Sequence, residues 1–327
     1  MKSADKSKVV VVAFPGVQML DVAGPADVFT LANSFNVEPF YELVSASTAG
    51  GATATLNGID IVTRPIIDLP PAGIDTLIVA GGAEDGLMAA IQDQALAAWI
   101  RLVAATARRY GSVCSGAFAL AEWGLLDGSK VTTHWSAAAT LDRHYPNISV
   151  EADAIYVQDG RLWTSGGVTS GIDMCLGMVE HDLGRWVASR VAKQLILPVR
   201  RLGNQSQFSL VLDAQAGRYA SLVDWVRTHL QTPISNDELA ARAGESQRSF
   251  HRHFLAETGQ TPAAFVEALR LQVAREHLEQ GASAKAAARA AGFTSDEHLV
   301  RVFVRRFRMT PAQYRMTHGT ARQGERK

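Results

Sequence analysis

One sequence pattern occurs twice in the last third of the chain, and it decides the fold of that part. The first copy is Leu239-Ala240-Ala241-Arg242-Ala243-Gly244-Glu245-Ser246 and the second is Ala287-Ala288-Arg289-Ala290-Ala291-Gly292-Phe293-Thr294-Ser295. Each copy is followed by a helix-like run and closes at Thr-Pro with an aromatic residue three positions later. Gly permits the positive φ of a tight turn and Ser caps a helix that follows it. Each copy therefore predicts two helices joined by a tight turn.

The second helix of each copy is predicted to have an apolar side and a polar side. Phe250 and Phe254 are four residues apart, as are Leu299 and Phe303, so each pair lies on one face of a helix. A charged outer face usually meets only solvent, but two copies at matched offsets favour a pair of DNA-reading helix-turn-helix modules. The candidate DNA contacts are Gln247, Arg248, His251 and Arg252 in the first copy, and Asp296, Glu297, His298, Arg301 and Arg305 in the second.

A connecting helix is predicted between the two copies. Thr261 supplies a cap and Pro262 stands at the first helical position, and the apolar pattern continues to Gly281. At about 1.5 Å per residue this helix is close to 30 Å long, comparable to the roughly 34 Å between successive major-groove faces of DNA. One chain is thus expected to reach two adjacent major grooves.

The charge distribution agrees with DNA binding by the C-terminal part. The chain of 327 residues holds 32 Lys and Arg against 32 Asp and Glu. From Arg218 onward there are 17 basic and 11 acidic residues, a net charge of +6, which leaves 15 and 21, a net charge of −6, before it. The basic excess lies where contact with phosphate requires it.

The first two thirds of the chain predict an α/β fold. Short apolar, β-branched runs alternate with helix-like runs, which is typical of a parallel sheet covered on both faces. The strand-like runs are residues 9–14, 76–79 and 111–114, and the helix-like runs are residues 22–32, 89–105 and 117–126. The fold class is therefore a flavodoxin-like sandwich followed by an all-α domain.

Binding sites in such sheets lie at the carboxyl ends of the strands. Asp21, Gly81-Gly82 and Cys114 follow three of the predicted strands, and the glycines are expected to expose backbone N–H groups to an anion. A thiol at the start of a helix is expected to ionise easily, which suits a nucleophile. The alternative is that Cys114 is only a small residue that fits a tight turn.

Other polar residues are interpreted more simply. His134 beside Trp135 is expected to be packed and hydrogen-bonded rather than catalytic. Cys175 lies in an apolar helical run and is predicted to be core. No group of residues has the spacing of metal ligands, so neither a metal nor another cofactor is expected.

Two resemblances cover most of the chain. Residues 218–315 resemble an AraC/XylS-type DNA-binding domain, with both motifs, the connecting helix and both Thr-Pro closures. Residues 8–184 resemble the ThiJ/PfpI superfamily, itself similar to class I glutamine amidotransferases. Three stretches carry the second resemblance: residues 113–128 around Val113-Cys114-Ser115-Gly116, then Thr132-Thr133-His134-Trp135, then Ser165-Gly166-Gly167-Val168-Thr169-Ser170-Gly171-Ile172-Asp173. The combination is similar to the GlxA type of regulator.

These resemblances imply a transcriptional regulator, and by analogy an activator that works with RNA polymerase on promoter DNA. A small-molecule effector, such as a nitrogen metabolite, is expected in a pocket formed by Asp21, Gly81, Gly82, Cys114, Ser115, His134 and Trp135. A homodimer is implied by the superfamily. The alternative is an enzyme, because the same segments resemble isonitrile hydratases, in which Asp21 and Cys114 would be the working pair. Ser115 stands where superfamily peptidases have His, so a Cys-His dyad is not expected.

The predicted boundaries follow from these assignments. Residues 1–8 are a disordered start, 9–199 the ligand-sensing domain, 200–217 a linker, 218–316 the DNA-binding domain and 317–327 a tail. Two cysteines and the absence of a long apolar run favour a cytoplasmic protein without a membrane segment.

Overall fold

The computed structural model describes residues 6–197, 218–307 and 309–318. The chain divides into two compact units, Met1–Ser206 and Gln207–Lys327. The predicted linker at residues 200–217 lies outside the described residues. So does the predicted tail, apart from residues 317 and 318 at the end of the last helix.

The first unit is built on an eight-stranded sheet with the order β3-β4-β2-β1-β5-β6-β10-β9. Neighbouring strands from β4 to β10 are parallel, and the edge strands β3 and β9 are antiparallel to their neighbours. A separate two-stranded sheet pairs β7 with β8. The strands are β1 Ser7–Val12, β2 Tyr41–Ser47, β3 Gly51–Thr53, β4 Ile61–Pro65, β5 Ile74–Val79, β6 Arg109–Val113, β7 Lys130–Val131, β8 Ser149–Val150, β9 Tyr156–Asp159 and β10 Leu162–Ser165.

Helices cover both faces of the sheet. The helices are α1 Met19–Ser34, α2 Glu84–Gln92, α3 Gln94–Thr106, α4 Gly116–Glu122, α5 Trp135–His144 and α6 Thr169–Gln194. Alternate residues of β1 point to opposite faces: Val10 and Val12 pack in a core that includes residues of α2, α3 and α4. Val9 and Val11 pack with α1 and α6. The predicted parallel sandwich is confirmed.

Two details of the predicted α/β unit are wrong. Ser7 and Lys8 already belong to β1, so the predicted disordered start at residues 1–8 extends too far. Residues 89–105 do not form one helix, because Asp93 is extended and its carboxylate accepts hydrogen bonds from the N–H groups of Ala95 and Leu96. That capping interaction starts a new helix inside an apolar pattern that looks continuous.

The second unit consists of short helices around two apolar clusters. Its helices are α7 Ala220–His229, α8 Asn236–Arg242, α9 Gln247–Thr258, α10 Pro262–Glu279, α11 Ala284–Ala290, α12 Asp296–Phe307 and α13 Pro311–His318. The connecting helix α10 contributes Phe265 and Leu269 to the first cluster, and Leu271 and Leu278 to the second. Among the described residues, no helix combines the length and apolar character that crossing a bilayer requires.

The turns of both motifs form as the sequence predicts. The hydroxyl of Ser246 accepts a hydrogen bond from the Ser249 N–H, and that of Ser295 from the His298 N–H. Gly244 and Gly292 have φ values of +68° and +76°. Both helix-turn-helix motifs are therefore confirmed as local structure.

Candidate functional site

Asp21 is a fully buried carboxyl near the start of α1. Its two oxygens accept hydrogen bonds from the backbone N–H groups of Gly81, at 3.1 Å, and Val168, at 2.8 Å. Burial removes water from the carboxylate and raises the pKa of Asp21 to about 6, although both N–H groups oppose the rise. The carboxyl therefore joins three segments of the chain and titrates near neutrality.

Cys114 occupies a constrained turn between β6 and α4. Its φ of +56° is rare for a residue other than glycine, which indicates that the surrounding structure imposes it. Gly167 crosses directly over it: a Cβ atom on Gly167 would lie 2.3 Å from Cβ and 2.7 Å from Sγ of Cys114. The Thr133 hydroxyl donates to the Cys114 carbonyl oxygen at 2.8 Å. These contacts fix the position of the thiol beside Asp21.

The thiol and the carboxyl form a coupled pair. The two side chains lie close enough that each influences the pKa of the other. Burial, followed by the negative charge of Asp21, raises the pKa of Cys114 to about 12. The expectation that the helix start makes this thiol acidic is wrong, because burial and the charge of Asp21 raise the pKa of Cys114 more than hydrogen bonding by Ser115, the residue at the helix start, lowers it. At neutral pH the thiol keeps its proton, and the carboxyl is the group that can accept one.

The two glycines predicted to offer free N–H groups use them internally. The Gly81 N–H donates to Asp21, and the Gly82 N–H donates to the hydroxyl of Ser115 at 3.0 Å. The predicted anion-binding role of Gly81 and Gly82 is therefore not supported, because both donors already have acceptors. Their small size still matters, since a Cβ atom on Gly81 would lie 2.8 Å from Cβ of Cys114.

His134 and Trp135 lie at the start of α5. Nδ1 of His134 forms a 2.7 Å hydrogen bond with the Ser136 hydroxyl, and burial lowers the pKa of the ring. The ring centroids of His134 and Trp135 are 5.4 Å apart, and Trp135 is 47% exposed. This arrangement agrees with a packed, hydrogen-bonded histidine.

A cleft of about 690 Å³ opens beside the turn that carries Cys114. Of the predicted pocket residues, only Gly82 and Ser115 line it. Its other walls come from α2, α4, α5 and the residues next to them. The sequence did not predict these walls, because no local pattern brings the three helices together. These walls are Glu84, Leu87, Met88, Ile91, Gln92, Phe118, Glu122, Ser136, Ala137, Thr140, His144 and Tyr145.

In the first motif, α9 presents the predicted polar face to solvent. Phe250 and Phe254 are 1% and 3% exposed and pack in the core. All four predicted contacts are exposed: Gln247, Arg248, His251 and Arg252. The sequence did not indicate the role of Glu245, whose carboxylate accepts hydrogen bonds from Tyr219 and His253 and so ties the turn to two helices.

In the second motif, the predicted contacts of α12 are not equivalent. Glu297 and Arg301 are exposed, whereas Asp296 and His298 are half-buried. Nδ1 of His298 is 3.1 Å from the Thr294 hydroxyl. Arg305 is exposed but forms an ion pair with Glu267 of α10. Arg305 is thus already engaged within the unit, whereas Arg301 is exposed.

The residues that the structure describes contain no group of three or more His, Cys, Asp or Glu side chains that could hold a metal ion.

Known proteins are similar to both units of the chain. The chain is 29% identical over 306 residues to the HTH-type transcriptional regulator CdhR of Pseudomonas aeruginosa, covering 92% of this chain and 89% of that protein. It is 32% identical over 270 residues to an HTH-type transcriptional regulator of Mycobacterium tuberculosis, covering 76% of this chain and 98% of that protein. An isonitrile hydratase of Pseudomonas putida is 34% identical over 184 residues, covering 56% of this chain and 75% of that protein.

The family matches follow the same division. Residues 239–317 match a helix-turn-helix domain, and residues 7–181 match the DJ-1/PfpI family. The crystal structure of DJ-1beta from Drosophila melanogaster superimposes with a TM-score of 0.52 and 22% identity, over 59% of this chain and 99% of that one, which shows a shared fold. The chain therefore belongs to the DJ-1/PfpI family and combines its α/β domain with a C-terminal AraC-type helix-turn-helix domain.

Proposed function

We propose that this protein is a sequence-specific transcriptional regulator whose DNA-binding unit responds to a small molecule held by its α/β unit. The observation that carries the proposal is the pair of exposed polar helix faces, on α9 and α12, joined by one helix of about 27 Å. The similar proteins that span most of the chain are named as transcriptional regulators, which supports it.

The sensor is the cleft beside Cys114. The cleft has room for a small metabolite, and one end reaches Gly82 and Ser115, next to the Asp21–Cys114 pair. A ligand there changes transcription only if it binds one arrangement of the protein more tightly than another. The proposal also includes a nitrogen metabolite as the effector, activation of transcription through RNA polymerase, and a homodimer. These three parts rest on analogy with regulators of this type.

DNA binding is tested with the full chain and a pool of random-sequence duplexes. We expect selection to enrich a sequence that binds at least a hundredfold tighter than its scrambled control. Arg248→Ala and Arg301→Ala should each weaken binding by about 1–3 kcal/mol, and a base-reading arginine should also relax the preference at one position. Arg227→Ala, which removes an exposed arginine of α7 outside both motifs, is the matched control. Failure to enrich any sequence would reject the regulator.

The effector is sought by thermal unfolding of the full chain in the presence of small nitrogen metabolites, with mass spectrometry on each compound that stabilises it. A compound recovered unchanged acts as a ligand. A compound that is consumed points instead to chemistry at the thiol.

An enzyme of the isonitrile hydratase type is the second candidate. The specific observation in its favour is the position of the buried Asp21 carboxyl beside the Cys114 thiol, in a segment similar to an isonitrile hydratase. Turnover of an isonitrile that Cys114→Ser abolishes and Cys175→Ala preserves would support it. If no isonitrile is turned over, the hydratase is rejected. If Cys114→Ser also leaves promoter activity unchanged, regulation does not need the thiol.

A further inference from the structure

A groove of about 600 Å³ lies within the second unit, between the second motif and the segment that follows α7. One wall is formed by α11 and the turn to α12, and the other includes Gln231 and Pro233. The two walls are in direct contact at one end, because a Cβ atom on Gly292 would lie only 1.8 Å from the carbonyl oxygen of Leu230. Arg270 of α10 secures this end by donating to the carbonyl oxygens of Leu230 and Thr232. The groove is therefore a built feature that joins the second motif to the segment between α7 and α8.

The groove is positively charged. Arg270, Lys285 and Arg289 line it against one acidic residue, Asp296. Lys285 and Arg289 are four residues apart on α11, so they lie on the same face of that helix, and both are exposed. Arg270 is committed to the backbone of the opposite wall, which leaves Lys285 and Arg289 as the side chains that can reach a ligand.

The two recognition helices begin with different charges. In the first motif, α9 begins with Gln247 and Arg248. In the second, α12 begins with Asp296 and Glu297, and its arginines lie further along the helix. The preceding helix α11 carries Lys285 and Arg289 and no acidic residue.

The acidic start of α12 matters for phosphate binding. An acidic helix start repels phosphate and can accept hydrogen bonds only from base donors such as the cytosine amino group. The second motif therefore needs phosphate contacts from outside the start of its recognition helix. The exposed cations of α11 belong to the same motif but lie outside that start, which suits them to this role.

We propose that Lys285 and Arg289 form a phosphate-binding groove for the DNA backbone beside the major groove read by α12. This inference rests on the proposed function and identifies residues that hold the duplex without reading its sequence. Phosphate contacts fix register and supply affinity, whereas base contacts supply specificity.

The test measures how the affinity of the full chain depends on salt. The probes are the selected duplex and its scrambled control, titrated by fluorescence polarisation at several NaCl concentrations. Each lost phosphate contact lowers the slope of log K against log salt by about 0.9, so the double variant Lys285→Ala/Arg289→Ala should lose about 2 from the slope on both duplexes. The ratio of the two affinities should stay unchanged. The control Arg64→Ala/Arg227→Ala removes the same charge from exposed sites on β4 and α7 and should keep the wild-type slope.

The possible results distinguish a failure of the phosphate-binding groove from a failure of the proposed regulator function. A wild-type slope in the double variant would show that the groove does not touch phosphate, while DNA binding itself stands. A fall in the affinity ratio would show that Lys285 or Arg289 reads bases, which overturns the assignment. If the wild-type chain binds neither duplex, the regulator itself is rejected, and the groove with it.

Discussion

Burial governs the chemistry of both Asp21 and Cys114. The carboxyl gains two backbone N–H donors but loses water, and the loss of water dominates its pKa. The thiol experiences first its own burial and then the charge of Asp21. At neutral pH the thiol therefore keeps its proton beside a carboxyl that is largely ionised.

Alkylation of Cys114 is expected to be slow at neutral pH. With the pKa raised to about 12, the thiolate fraction at pH 8 is small and grows about tenfold for each pH unit. Iodoacetamide labelling rates should therefore keep rising beyond pH 10, and Asp21→Asn should speed labelling at pH 8 because it removes the neighbouring charge. Cys175 is fully buried and should not contribute. A labelling rate that levels off below pH 8 in the wild type would contradict the assigned environment.

Asp21 should make the stability of the α/β unit depend on pH. An acid whose pKa is higher in the folded than in the unfolded state favours folding most at low pH, and this contribution is lost as the pH rises from about 4 through about 6. The unfolding free energy of the wild type relative to Asp21→Asn should fall by about 3 kcal/mol over that window.

Urea unfolding followed by tryptophan fluorescence measures this, since five of the six tryptophans lie in the first unit. Asp60→Asn, which changes an exposed carboxyl, is the comparison variant. A difference that stays flat between pH 4 and pH 7 would mean that Asp21 does not titrate in this range.

The two helix-turn-helix elements use the same turn geometry in different surroundings. Gly244 and Gly292 occupy matching positions and have similar positive φ values. Space for a side chain is open around Gly244, whereas Gly292 is packed against the carbonyl oxygen of Leu230. The first glycine is thus required by the turn alone, and the second also by the close contact of the second motif with the end of α7.

Replacing Gly244 and Gly292 with alanine, one at a time, should distinguish the cost of the turn conformation from the cost of displacing Leu230. Gly244→Ala should cost about 1 kcal/mol of unfolding free energy, the price of a left-handed conformation for a residue with a Cβ atom. Gly292→Ala carries the same cost and must also displace Leu230, so its loss should be at least twice as large. Urea unfolding followed by circular dichroism at 222 nm compares the two variants. Equal losses would show that the contact between Gly292 and Leu230 adds nothing to stability.

At the scale of the whole molecule, α10 fixes the distance between the two recognition helices. Its 18 residues form one continuous helix whose two ends belong to different apolar clusters. A helix of this length, about 27 Å, is stiff, so the second unit should read only sites in adjacent major grooves.

Changing the spacing of the selected site tests this constraint. Inserting five base pairs between its halves rotates one half to the opposite face of the duplex, and affinity should fall to that of a single motif. Inserting ten base pairs restores the face but adds roughly 34 Å, which α10 cannot span, so affinity should stay low. Recovery with ten base pairs would indicate that the two halves are bound by different protomers.

The sequence by itself determined the features that depend on neighbours in the chain. The turn glycines, the serine caps and the apolar spacing of Phe250 and Phe254 act over one or two helical turns, so both motifs and their connecting helix could be predicted. The alternation of strands and helices likewise predicted the parallel sandwich. The start of α3 at Asp93 was missed because the apolar pattern runs through it.

The tertiary structure alone decided the chemistry of the site. Val168 donates to Asp21 across 147 residues of sequence, and the cleft beside Cys114 is lined by three helices that no local pattern connects. The pKa of a group depends on how much water and charge surround it in the fold. Position at a helix start therefore could not reveal that burial and Asp21 keep the Cys114 thiol protonated, nor could sequence spacing reveal the basic groove between the second motif and the segment that follows α7.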